Sequence, residues 1–165
     1  MGSKSLSLRV LEQLYRDRHP AFARVAIALL GNREHAHDAV QDAFARAVRA
    51  RRSYRGESSP ETWVFALLVN VCRDERRRRT APAAAVSEGQ SLGHVRNGHP
   101  QDWPELHAAV AALPERQRAA VFLRYFADLD YDAIAAALGI ERGTVAASLH
   151  AAHANLRTTL KEVNR

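Results

Sequence analysis

Apolar residues recur at helical spacing along almost the whole chain, and period-two alternation persists nowhere. Leu8, Leu11, Tyr15, Phe22, Val25, Ala26 and Leu29 keep one register across the first thirty residues. Pro20 interrupts that register, so the pattern predicts a kink or two successive helices. Gly31 is placed to close this element and Asn32 to cap the next. Residues 33–51 then carry an unbroken stripe of Ala36, Ala39, Val40, Ala43, Phe44, Ala47 and Val48. The opposite face holds Glu34, Asp38, Gln41, Asp42, Ala45 and Arg49.

A polar loop, Arg55 to Ser59, leads into a third helix. Ser58 or Ser59 is expected to accept from its first-turn N–H groups, with Pro60 where no N–H is needed. Val64, Leu67, Leu68, Val71 and Cys72 form its core stripe. Trp63, Ala66, Asn70, Arg73, Asp74 and Arg77 fall opposite, and the helix ends in the run Arg76 to Arg79. Aromatic rings stack on unpaired bases, amides read base edges and guanidinium groups hold phosphates. One helix offering all three, next to a polar loop, predicts a nucleic-acid surface, with a base pulled out of its stack. For the aromatic or the arginine run alone, a core residue and a solvated helix end are the simpler readings.

From Thr80 to Asp102 the periodicity stops, and Pro, Gly, Ser, Asn and Gln take over. This stretch reads as a flexible linker between two small helical domains, residues 1–79 and 103–165, with 80–102 between them. Asp102 and Glu105 are spaced as a capping box for a helix with the stripe Leu106, Ala109, Val110 and Leu113. Pro114 starts another, with Arg118, Val121, Phe122, Tyr125 and Phe126 in register. Asp128 to Asp130 turn the chain into a helix-turn-helix pattern: Ile134, Ala135 and Leu138, then Gly139 for a left-handed turn, then Ile140, Val145, Leu149, Ala152 and Leu156. An αα-hairpin without a DNA role is the alternative reading of that pattern.

Charge sharpens this division. Residues 1–79 hold 16 basic and 9 acidic side chains, a net of +7, whereas residues 103–165 hold 7 of each. The whole basic excess therefore lies in the first half, as expected of a surface for a polyanion. Inside that half, Asp38, Gln41 and Asp42 make a compact acidic patch at i, i+3, i+4. It reads either as an ordinary solvated face or as a docking surface for a basic partner helix. The lone Cys72, the absence of a signal-like apolar segment and the absence of a membrane-length run point to a reducing, cytoplasmic setting without membrane contact. His150 and His153 are at i, i+3, but no carboxylate or thiol completes a metal site, so no cofactor, metal or catalytic group is expected.

These motifs, in this order, resemble the extracytoplasmic-function (ECF, group IV) sigma factors of bacterial RNA polymerase, over residues from about Leu8 to Leu160. Asp38-Ala39-Val40-Gln41-Asp42-Ala43-Phe44 resembles the family's region 2.2. The resemblance implies that Asp38, Gln41, Asp42 and Arg49 dock on the polymerase β′ clamp helices. Tyr54-Arg55-Gly56, Ser58-Ser59, Thr62-Trp63 and Asn70 resemble region 2.3/2.4, which implies −10 recognition and melting by Tyr54, Arg55, Ser58, Ser59, Trp63, Asn70, Arg73, Arg76 and Arg77. Leu113 to Arg118, Tyr131, Ile134-Ala135, Leu138 to Ile140 and Gly143-Thr144-Val145 resemble region 4. This implies −35 contacts by Arg142, Thr144, Ser148, His150, His153 and Arg157, and a β flap contact. The middle sigma domain of larger members is absent. The implied fold is all-α: a sigma2-like bundle and a sigma4-like helix-turn-helix domain. The implied partners are core RNA polymerase, promoter DNA and an anti-sigma factor.

The recognition helix departs from the family's basic pattern. Arg142, Ala146, His150, His153 and Arg157 share one face, and only the two arginines are charged at neutral pH, since histidine titrates near ~6.5. The expectation is weak −35 binding by this domain alone, tightening as pH falls. A regulator using only the helix-turn-helix, and a nucleic-acid enzyme, are the rival readings. The first leaves the acidic patch and the Trp63/Asn70 face unexplained, and the second lacks a nucleophile or metal constellation.

Overall fold

The structure, a computed structural model, describes residues 5–80 and 104–163. Among the described residues, seven α-helices and one 3₁₀ turn follow one another: α1 (Leu8–Leu30), α2 (Arg33–Ala50), the turn Arg51–Ser53, α3 (Pro60–Thr80), α4 (Pro104–Ala111), α5 (Glu115–Tyr125), α6 (Tyr131–Leu138) and α7 (Arg142–Val163). Among the described residues there is no strand.

Local chemistry sets the helix ends. Ser7 accepts from the Val10 N–H at the start of α1, and Gly31, at φ 71°, closes it by donating to the Ile27 carbonyl. Asn32 then accepts from the His35 N–H and opens α2. The chain does not break at Pro20, and α1 runs through it as one helix. A mid-helix proline costs about 3 kcal/mol. Here Leu11 on one side of it and Phe22, Val25, Ala26 and Leu29 on the other all pack into one core, which offsets the cost. Phe22 stacks on Phe65 at 4.1 Å and meets the edge of Phe44 at 5.0 Å.

α3 is the central element. Its expected stripe is buried at Val64, Leu68, Val71 and Cys72, but Phe65 and Val69 are buried as well, at 0% and 1% exposure. The reason is cover on two sides: α1 and α2 pack on one and α6 on the other. In the second half the buried face of α5 is Ala119, Ala120, Val121 and Leu123. This corrects the expected register. Tyr125 and Phe126 are 58% and 42% exposed, because the helix ends there with the Phe126 N–H donating to the Phe122 carbonyl. Leu106 on α4 is also exposed, while Ala109 and Leu113 are buried. Asp102, Trp103 and the expected linker from residue 81 lie outside the described residues.

The two halves pack on each other, α1 against α5 and α3 against α6, and their buried side chains form one continuous core. Polar groups stitch the seam. The Arg18 guanidinium donates to Glu61 at 2.6 Å and to the Ala127 carbonyl at 2.5 Å. Arg73 donates to the Leu138 carbonyl at 3.5 Å, and the Arg24 guanidinium lies 5.3 Å from the centre of the Phe126 ring.

Candidate nucleic-acid and protein interfaces

α2 turns its acidic residues outward because Ala36, Ala39, Val40 and Ala43 are drawn into the core. Asp38 is exposed and makes no ion pair with a described residue. Gln41 sits 2.9 Å from the His37 ring, and Asp42 is held by Arg46 at 2.9 Å and Arg49 at 3.8 Å. Arg46 also reaches Asp74 on α3 at 3.4 Å. Its pKa is raised, first by the hydrogen bond it donates to Asp42, so this guanidinium stays charged and joins the two helices. The four candidate docking residues thus share one surface, with Asp38 and Gln41 the most available.

The loop before α3 is built from within. Tyr54 is buried, its hydroxyl donates to the Ser58 carbonyl, and its ring lies 5.3 Å from that of Trp63. Ser59 supplies the cap, accepting from the Thr62 N–H at 3.0 Å and donating to the Thr62 hydroxyl at 2.9 Å. Gly56 takes φ 75°, the left-handed turn that returns the chain to α3. Arg55 is exposed at the loop's edge, and Trp63 packs half-buried against the core. Tyr54, Ser58, Ser59 and Trp63 therefore gather at one end of α3, with Asn70 exposed midway. Arg73 and Arg76 lie at the other end and are already engaged, Arg73 with α6 and Arg76 with Glu115 of α5 at 2.6 Å. Arg77 is exposed. At 1.5 Å per residue, Trp63 and Arg77 are roughly 21 Å apart along the helix.

In the second half, Asp130 accepts from the Ala133 N–H, and Gly139 ends α6 at φ 65°. Ile134, Leu138, Val145, Leu149 and Ala152 are buried where α6 and α7 meet, as the spacing predicted. Arg142, His150, His153 and Arg157 are exposed along α7, Thr144 is half-buried, and Ser148 is buried at 8% exposure. Ser148 and Tyr54 thus shape their surfaces from inside. Arg142 lies 3.3 Å from Asp132, and the His153 ring lies 3.0 Å from the Tyr125 hydroxyl.

Three further groups meet at the seam, and none was assigned a functional role from the sequence. Arg118 donates to the carbonyls of Ala111 and Leu113 at 2.7 and 3.3 Å, satisfying the open end of α4. Its pKa is lowered, first by burial and then by the charge of Arg76. Glu115 is the partner of Arg76. Burial pushes the Cys72 thiol up to about 12, with Glu115 and Glu75 adding to the shift and Arg76 opposing it. Among the described residues, no three metal-ligating side chains are gathered, and no helix is long and apolar enough to cross a membrane.

The described architecture is thus a helical bundle presenting Asp38 and Gln41 on α2, followed by a helix-turn-helix unit. Residues 14–81 match Sigma-70 region 2, and residues 104–156 match Sigma-70 region 4. The chain is 31% identical over 153 residues to the ECF RNA polymerase sigma factor SigM of Mycobacterium tuberculosis, covering 93% of this chain and 78% of the relative. It is 27% identical over 161 residues to the RNA polymerase sigma factor SigV of Bacillus subtilis, covering 97% and 96%. A solved structure of the sigma factor RpoE in complex with the anti-sigma factor NepR, from Bartonella quintana, superposes with a TM-score of 0.78 at 25% identity, over 93% of this chain and 98% of that one. The chain belongs to the ECF sigma factors of the sigma-70 family. It is an alternative sigma factor that directs promoter-specific transcription initiation.

Proposed function

We propose that this chain is a group IV sigma factor acting in the cytoplasm, with residues 1–79 as its sigma2 domain, 80–102 as linker and 103–165 as its sigma4 domain. Asp38, Gln41, Asp42 and Arg49 dock on the β′ clamp helices of core polymerase, and the sigma4 domain meets the β flap. Trp63, Asn70 and the loop shaped by Tyr54, Ser58 and Ser59 hold the opened −10 strand, while Arg55, Arg73, Arg76 and Arg77 bind its phosphates. Arg142, Thr144, His150, His153 and Arg157 face the −35 element, with Ser148 supporting the helix. No bond is made or broken by the protein; melting comes from binding the open strand better than duplex. An anti-sigma factor is the expected regulator, a reading supported by the complex in which the similar RpoE was solved.

The observation that carries this reading is the order of parts on one chain: a helix presenting Asp38 and Gln41, an aromatic-bearing loop before α3, then a helix-turn-helix with its second helix open to solvent. The engagement of Arg73 and Arg76 with α6 and α5 supports one refinement, that the two halves part before the −10 strand is bound. Run-off transcription with core polymerase tests the whole. Initiation by the wild type should be abolished by Asp38→Arg/Asp42→Arg, with duplex binding by the free protein unchanged. Initiation that survives the double substitution would remove the docking assignment. Failure of the wild type to initiate on any template, with stable duplex binding, would favour a stand-alone regulator.

A further inference from the structure

Between α3, α5 and α6 lies a cleft of about 610 Å³. This is within the ~300–1,000 Å³ of small-molecule sites. Its apolar side is formed by Leu29, Val69, Ala119, Leu138 and Ile140. Arg73, Arg76, Arg77 and Arg116 border it, with Glu115 as the one carboxylate in the lining among the described residues. Glu115 offsets only Arg76, whose buried Nη1 lies 2.6 Å away without the alignment of a hydrogen bond. The acceptor of Arg73 is a neutral carbonyl, and Arg77 and Arg116 are exposed. Among the described residues, three guanidinium charges are therefore left without a carboxylate partner around one cavity. The start of α5, which carries Glu115 and Arg116, has no side-chain cap on its first N–H groups, adding partial positive charge. The lowered pKa of Arg118, with Arg76 among its causes, is consistent with that excess.

A purely apolar ligand would leave these cations unmatched, and a bare anion would leave the apolar side wet. Guanidinium groups pair with phosphate oxygens in bidentate fashion. We propose that this cleft binds a nucleotide carrying two or more phosphates, its ring system on the Leu29/Val69/Leu138/Ile140 side and its phosphates on Arg73, Arg77 and Arg116. The ligand would touch helices of both halves at once and so tie them together. This site is separate from the docking face on α2 and includes Arg116, which has no part in the proposed −10 surface.

Calorimetric titration of the full chain at constant ionic strength, with GDP, inorganic pyrophosphate and guanosine as probes, tests it. GDP should bind saturably at one site, and pyrophosphate and guanosine at least about tenfold more weakly. Arg116→Ala and Arg77→Ala, both at exposed positions, should each weaken GDP by roughly tenfold or more, the loss expected for a hydrogen bond between charged groups. Arg9→Ala, exposed on α1 away from the cleft, should leave it unchanged. Absence of saturable GDP binding, equal losses in Arg9→Ala and Arg116→Ala, or pyrophosphate binding as tightly as GDP would each overturn the proposal. None of these readouts depends on transcription, so they stand or fall apart from the polymerase assignment.

Discussion

The two helices proposed to meet DNA differ in what they have to spare. α3 ends in a dense run of guanidinium groups, yet Arg73 and Arg76 already face the other half of the molecule, and the helix is buried on two sides. α7 is sparser, with Arg142, Arg157 and Lys161 on its outer face and Arg142 near Asp132 at 3.3 Å, but that face, Ala146, His150 and His153 included, is exposed to solvent. The helix richer in charge is the one whose charge is partly committed. Affinity for a polyanion follows the cations free to release counterions from phosphate, not the number written in the sequence.

The largest effect should come from removing the shared core beneath α3. Phe65→Ala breaks the 4.1 Å stack on Phe22 at a fully buried site and should cost about 3–5 kcal/mol, seen as a lower urea midpoint. If the seam unites the halves, α7 should lose its helicity in the same transition. A separate, unshifted transition for the second half would break the comparison.

Next comes the commitment of the α3 arginines. Glu115→Lys removes the partner of Arg76 and places a like charge against it. Binding of a single-stranded −10 oligonucleotide by the free protein should tighten, with a salt slope steeper by about one unit. Arg142→Ala should do the opposite for duplex −35 DNA, flattening its slope by about one unit. An unchanged slope in Glu115→Lys would mean that Arg76 is not withheld by the seam.

Smaller still are the caps. Ser59→Ala in one half and Asp130→Ala in the other each remove an acceptor from a first-turn N–H, at about 1 kcal/mol apiece. Equal shifts of one transition would again mean one cooperative unit. At neutral pH the smallest effect is that of Cys72. Its thiol ionises near 8.5 when unfolded and at about 12 when folded, so the unfolded chain loses its proton first. Its contribution is therefore full below about pH 8.5 and declines as pH rises towards 12. The urea midpoint of the wild type should fall across that window more than that of Cys72→Ala, and alkylation of the native thiol at pH 8 should be slow.

The helix-turn-helix was legible because its determinants are local: a left-handed glycine, a capping aspartate and apolar anchors within two turns. The seam was not, because a single apolar stripe is what periodicity can reveal, and α3 buries a second set, Phe65 and Val69, against helices far along the chain. Arg73 and Leu138 are 65 positions apart, and nothing near either forecasts their contact. Periodicity also put Tyr125 and Phe126 on the core face of α5, where they continue the helical spacing but are exposed at the helix terminus. Candidate site residues were chosen by chemical type, which is blind to burial; Tyr54 and Ser148 have the right groups and sit inside.

The Arg18 and Arg76 contacts are made within one chain, so mass action treats them unlike any encounter between molecules. Diluting the protein leaves the fraction with its seam closed unchanged, whereas occupancy by polymerase falls with polymerase concentration. On the proposed function, a chain built this way keeps Arg76 of α3 off stray DNA at any copy number. It yields that cation only where a partner is abundant enough to compete with a contact that never has to be found by diffusion.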